Sequence, residues 1–205
     1  PVREVTETKL VDVDLSALPN PARGPVQWTL ATAALETSAD CRHVAYLVAD
    51  GTRRALVRDG VQGPWHDQVL LMSSPRTRDQ FYHWYRDGEQ WTLVVDDREF
   101  RGPPPAMMHV FISPDGRRAA YVGKRGKYER CLVLDGVEGK WYTNDTFEPV
   151  FSSDSRHLAY TARTDTRWVL VSDGEEVITG QERAVACAFS PDSRHFGAVL
   201  HERGR

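Results

Sequence analysis

The chain has 205 residues, 40% of them hydrophobic and 27% charged, and a formal net charge of −3. That length and balance suit a globular fold with a real core. They argue against wholesale disorder and against a dedicated nucleic-acid binder, which carries a strong basic excess.

The amino-terminal stretch "PVREVTETKL" lacks the tripartite form of a signal peptide, although a start at Pro instead of Met indicates trimming. A cytoplasmic location is therefore expected, with the periplasm as the alternative if a signal has been removed. No apolar run reaches the roughly 18 residues of a membrane span. Within residues 2–15, "KLVDVDL" alternates as an edge strand does, and the loop "ALPNPARGP" follows it.

"VQWTLATAALETS" then opens the first of five copies of one phrase. The copies are "SADCRHVAY" from Ser38, "SPRTRDQFY" from Ser74, "SPDGRRAAY" from Ser113, "SSDSRHLAY" from Ser152 and "SPDSRHFGA" from Ser190, so the spacings are 36, 39, 39 and 38 residues. An arginine stands four places after every serine: Arg42, Arg78, Arg117, Arg156 and Arg194. Small residues stand seven places on at Ala45, Ala120, Ala159 and Gly197, with Phe81 the exception, and tyrosine eight places on at Tyr46, Tyr82, Tyr121 and Tyr160. A second phrase follows in phase after the first four copies, ending at Asp59, Asp96, Asp135 and Asp173 in "ALVRDG", "TLVVDD", "CLVLDG" and "VLVSDG".

Each unit reads as four short strands. An apolar stretch meets the Ser-Pro-Asp-Gly turn, a second strand leads to a variable polar loop, and third and fourth strands flank an Asp-Gly turn. Turn chemistry accounts for the recurring residues: Pro presets φ, Asp bonds the amides that follow it, and Gly accepts positive φ. Helical periodicity is absent. Four antiparallel strands repeated at this period predict an all-β fold, a β-propeller whose blades bury their faces on one another.

"FISPDGRRAAYV" and "FSPDSRHFGAV" resemble the TolB-type, WD40-like PD repeats of bacterial β-propellers over about residues 26–205. The resemblance implies an interaction platform or an accessory domain of a larger enzyme. It departs from true WD40 repeats, because no Gly-His and Trp-Asp pair recurs.

Five four-stranded blades in a single domain, 1–205, are expected at about 26–68, 69–104, 105–145, 146–181 and 182–205. The fifth copy reaches the chain end after two strands, so residues 2–15 are expected to complete the last blade. The alternatives are blades cut from a longer propeller, or a ring completed by another chain.

Enzyme signatures are missing. The sequence holds no GxSxG elbow, HExxH, Gly-rich phosphate loop or EF-hand loop. Five-bladed glycosidases need two or three carboxylates on inner strands, and only Glu148, with Glu36 at the foot of the first blade, answers. Neither a catalytic residue nor a cofactor is expected. No metal site is expected either: His43, His157 and His195 share one repeat position, but blades separate them by about 10 Å, too far for one ion. Cys41, Cys131 and Cys187 form no CxxC pair and read as buried small hydrophobes. The phase-locked arginines are expected to brace turns, and Trp65, Trp91, Trp141 and Trp168 to pack between blades.

The serine and Asp-Gly turns lie on one rim and the varied loops on the other, where recognition normally sits. Lys124, Arg125, Lys127 and Arg130 form its densest basic cluster, and Arg53, Arg54, Arg86, Arg163 and Arg167 add to it. The expected partner is another protein with an acidic surface, held by a non-catalytic scaffold. "RGPPPAMM" is expected to add a stiff, partly apolar ridge. A five-bladed carbohydrate-active enzyme and a glycan-binding lectin are the alternatives.

Overall fold

The structure, a computed structural model, describes residues 35–37, 43–73, 81–143, 149–180 and 183–201. All regular elements among them are strands. The first sheet holds β1 (Leu35–Thr37), β2 (Val44–Ala49), β3 (Arg54–Arg58) and β4 (Val61–Gln62). The second holds β5 (Gln68–Ser73), β6 (Phe81–Asp87), β7 (Gln90–Val95) and β8 (Arg98–Gly102), and the third β9 (Pro105–Ile112), β10 (Ala119–Arg125), β11 (Glu129–Leu134) and β12 (Val137–Thr143). The fourth comprises β13 (Val150–Phe151), β14 (Leu158–Arg163), β15 (Trp168–Ser172) and β16 (Glu175–Gly180), while β17 (Arg183–Phe189) and β18 (Phe196–His201) pair as a two-stranded sheet. Each four-stranded sheet is an antiparallel meander in chain order, the topology of a propeller blade. Among the described residues no helix is long and apolar enough to cross a membrane. The expected completion of the last blade by residues 2–15 lies outside the described residues.

The chain divides into two compact units, Pro1–Glu99 and Phe100–Arg205. In the second, the third and fourth sheets share one apolar core: Ala120, Val122, Leu132 and Tyr142 meet Leu158, Tyr160, Ala162, Val169 and Val171. In the first, Ala45 packs on Leu71, and Val69, Tyr85 and Val94 pack with Leu47 and Leu56. The alternation of inward and outward residues along each strand thus buries both faces of a sheet, as stacked blades require.

The two repeated phrases stay in phase because they bond to each other. Asp135 Oδ1 accepts the Ala119 amide at 2.9 Å and its Oδ2 accepts Arg118 Nε at 3.0 Å. Asp59 takes the Val44 amide and the His43 ring in the same way, and Asp173 the Leu158 amide and the His157 ring. Each of these aspartates sits in the left-handed region at φ 49–53°, followed by a glycine at φ 81–88°, the pattern of a two-residue I′ hairpin turn. His43 and His157 therefore clamp corners, as their shared repeat position suggested.

The serine turn is built identically in three copies. Ser113 Oγ donates to Asp115 Oδ1 at 2.7 Å and accepts the Arg118 amide at 2.9 Å, while Asp115 Oδ1 accepts the Arg117 amide at 3.0 Å. Ser152 with Asp154 and Ser190 with Asp192 repeat these bonds. The recurring arginine thus braces its turn through its main-chain amide, and the reaching guanidinium belongs to the next residue, Arg118, which also donates to the Arg156 carbonyl at 3.0 Å. A further bond joins one turn to the next: Ser155 Oγ accepts the Asp115 amide at 3.0 Å, and Ser193 Oγ the Asp154 amide at 3.1 Å.

The second copy departs from the register that its tyrosine suggests. In the other three sheets the small residue lies opposite the last residue of the third strand: Ala45 opposite Arg58, Ala120 opposite Leu134, Ala159 opposite Ser172. In the second sheet that place, opposite Val95, is taken by Tyr82. One extra residue separates Ser74 from it, so His83, opposite Val94, occupies the position of Tyr46, Tyr121 and Tyr160.

Candidate functional site

The predicted basic residues fall on the hairpins that join second and third strands. Lys124 and Arg125 end β10, Lys127 lies in the turn, and Arg130 is on β11. Arg163 ends β14 and Arg167 precedes β15. Both hairpins belong to the second unit and, by strand order, emerge on the same rim of their sheets. In the first unit, Arg53 lies in the β2–β3 turn, Arg54 opens β3 and Arg86 is on β6.

Much of this charge is engaged. Arg125 forms a two-pronged pair with Glu129, both N···O distances 3.0 Å, and lies 4.4 Å over the Trp141 ring. The Arg125 bond holds the Glu129 carboxyl below the usual carboxylate range. Arg130 donates to the carbonyls of Glu129 and Lys127, closing its own turn. Arg167 approaches Glu176 at 3.9 Å, and Arg53 approaches Asp50 at 3.6 Å. Lys127 lies 5.0 Å over the exposed ring of Tyr128, and neither it nor Lys124 has a carboxylate within ion-pair range among the described residues.

Three of the four tryptophans also carry a cation. Arg86 lies 5.7 Å over Trp91 and Arg163 lies 5.8 Å over Trp168, each directly across the strand pair, so with Trp141 three of the four carry a guanidinium. Trp65 packs against the apolar cluster of Val48, Ala55 and Val57, and Trp91 meets the buried Trp84 edge-on at 6.4 Å. The apolar ridge also changes character: Tyr121 donates to the Pro103 carbonyl at 3.1 Å, the Lys124 amide donates to the Pro104 carbonyl at 2.8 Å, and Met107 is left 47% exposed. Close approach explains the glycines there, since a Cβ on Gly102 would collide with the Tyr121 hydroxyl and one on Gly123 would meet Pro103 Cγ at 2.6 Å.

Of the two acids considered for glycoside chemistry, Glu36 lies on β1 opposite Ala45, and Glu148 is outside the described residues. Buried Cys131 has its thiol pushed up to about 12, first by desolvation and then by Glu138.

Sequence reasoning missed a cavity of about 540 Å³ between the first two sheets, wholly within the first unit. Its floor holds His83, Val94 and Tyr85 from the second sheet, and its facing wall Leu56, Gly63 and His66. The His66 ring stacks on Tyr85 with centroids 3.8 Å apart and an 18° tilt, and its Nδ1 lies 2.7 Å from Asp87 Oδ2. His83 is held down to about 4 by desolvation, reinforced by the nearby His66 and Arg58, so its imidazole is neutral at pH 7. The available signal was Phe81 at the small-residue position, which marks the shifted register.

No family model matches the chain, and no curated protein does. Among solved structures it is similar to hydrazine synthase of Kuenenia stuttgartiensis, at 15% identity and a TM-score of 0.36 over 86% of this chain and 59% of that one. Two proteins described as 6-phosphogluconolactonases follow: one of Bacteroides uniformis at 13% identity and a TM-score of 0.31, covering 80% of this chain and 62% of that one, and one of Bacteroides fragilis at 15% identity and 0.28, covering 80% and 61%. The chain thus spans about three fifths of the structures it resembles. Overlaps this loose carry no chemistry, and the assignment of blades stands on sheet order and repeat bonding.

Proposed function

We propose that the chain is a TolB-type PD-repeat β-propeller that acts as a non-catalytic scaffold, docking an acidic protein surface on the hairpin rim at Lys124–Arg130 and Arg163–Arg167. Residues 2–15 close its last blade in this reading. The observation that carries it is the contrast between the two rims. Three serine turns and three Asp-Gly corners repeat the same bonds, while the opposite hairpins differ in every copy and gather cations. A rigid scaffold with variable loops is the usual arrangement for recognition. Lys124, Lys127 and the exposed Tyr128 on one hairpin offer two cations that steer an acidic partner and an aromatic anchor of a type enriched at interface centres.

Site-specific photocrosslinking in the native host tests this. A crosslinker at Tyr128 should capture a discrete partner, weakened by added salt and lost in Lys124→Glu/Lys127→Glu, whereas one at Val137, beside a corner turn, should not. Equal capture from both positions, or turnover of a glycoside by the purified protein, would remove the proposal.

A further inference from the structure

The cavity in the first unit is a vacancy at a position that the repeat elsewhere fills with a tyrosine. In the second unit, Tyr160 projects from β14 over Gly139, with its hydroxyl 3.7 Å from where a Cβ would stand, and hydrogen-bonds with Tyr142. Gly63 is the counterpart of Gly139, each four residues after its corner aspartate in "DGVQG" and "DGVEG". His83 stands at the tyrosine's register position and lines the same cavity as Gly63, but only the Leu56 carbonyl oxygen, at 3.4 Å, comes within 4 Å of where a Cβ on Gly63 would stand. The fourth strand is also interrupted here: Gly63 and Pro64 follow the two-residue β4 before the chain rejoins β3 at the Arg54–His66 bridge.

The walls have a definite chemistry. Val94, Leu56 and the stacked rings of His66 and Tyr85 give an apolar, partly aromatic interior. Four carboxylates, Asp59, Asp96, Asp97 and Glu99, line it, of which Asp59 is already held by the Val44 amide and the His43 ring, against one guanidinium, Arg58, which stands 3.9 Å from both Asp59 and Asp97. Neutral His83 adds no positive charge, and His66 is held on Asp87. An anion entering would meet this acidic edge unfavourably, and an ammonium would be drawn to it.

We propose that this cavity is a binding site for a small aromatic amine, whose ring takes the place of the missing tyrosine while its ammonium group meets the carboxylate edge. About 540 Å³ is within the usual range for a small-molecule pocket. This goes beyond the scaffold reading and does not depend on it, because the site lies on other sheets from the Lys124–Arg130 hairpin.

The test uses the full chain and three probes in calorimetric titration: tyramine, its anionic counterpart 4-hydroxyphenylacetate, and n-butylamine, which keeps the charge without the ring. Tyramine is expected to bind saturably, and each of the others about tenfold more weakly or worse, the loss of one good contact. His83→Tyr should restore the repeat residue, fill the cavity and cost at least about tenfold in tyramine affinity. Should that variant not fold, Asp97→Asn, at a fully exposed side chain, should weaken tyramine with the thermal midpoint close to that of the parent. Failure of tyramine to bind, equal binding of the anion, or unchanged affinity in the folded variants would overturn the proposal.

Discussion

Ser155 separates two contributions that are usually entangled, a hydrogen bond and backbone strain. It is 5% exposed, its φ is 64°, and its hydroxyl accepts the Asp115 amide across the gap between the third and fourth sheets. The equivalent residue in the third copy is Gly116, at φ 72°. Ser155→Ala keeps a side chain in the left-handed region and loses the bond, a net cost of about 1 kcal/mol. Ser155→Gly loses the same bond but releases left-handed strain of about 1–2 kcal/mol, so the two changes nearly cancel. Alanine should therefore be the worse substitution by about 1 kcal/mol, the reverse of the order within a strand, where glycine is the costlier by roughly 0.5–1 kcal/mol. Urea unfolding followed by tryptophan fluorescence reads this as a lower midpoint for the alanine variant at unchanged slope, with the glycine variant close to the parent. An alanine variant as stable as the parent would refute the bond, and a glycine variant less stable than alanine would refute the strain.

Three further outcomes follow from buried groups. Gly102→Ala drives a Cβ into the Tyr121 hydroxyl and should cost about 1–3 kcal/mol in urea unfolding, with most of it recovered in the Gly102→Ala/Tyr121→Phe double variant; no recovery would place the strain elsewhere. His83, lowered from 6.5 to about 4 chiefly by desolvation, has a folded value below its unfolded one. Its contribution is complete above pH 6.5 and is lost as pH falls towards 4, so the unfolding midpoint should fall across that window, and His83→Phe should flatten it. Buried Cys131, with its thiol pushed up to about 12, should react with a thiol reagent only in step with unfolding, and labelling of the folded chain at that residue would contradict its burial.

What could be read from the sequence was whatever recurs. Two phrases in constant phase imply a shared structure, and the structure supplies the cause, since Asp59, Asp135 and Asp173 each bond the residue and the amide that close the preceding serine turn. The histidines at 43 and 157 were legible as structural for the same reason. The cations over three of the tryptophans were not legible, because hydrophobicity alone does not tell a ring packed only on apolar groups from one that also lies under a guanidinium. The cross-strand partners Arg86 and Arg163 decide that, and they are fixed by pairing rather than by pattern. The recurring arginines among the described residues brace their turns as expected, through the main-chain amides of Arg117, Arg156 and Arg194 and, for Arg117 and Arg156, through the attraction of the guanidinium for the same aspartate.

His83 was hidden by the method that found everything else. Aligning the copies on their tyrosines puts Tyr82 with Tyr46, Tyr121 and Tyr160 and makes Phe81 look like an oddity at a small-residue place. Strand pairing moves both by one: Tyr82 stands at the small-residue place opposite Val95, and a histidine stands where the tyrosine should be. A one-residue slip exchanges the faces of a strand, so a misaligned copy assigns every side chain of β6 to the wrong side. The space opened by that histidine follows from the corrected register, because the neighbouring glycine, Gly63, still keeps the clearance that its counterpart Gly139 uses for a tyrosine. A repeat that retains room for a residue it no longer supplies has room for something else, and the acidic edge of that room selects by charge what can enter.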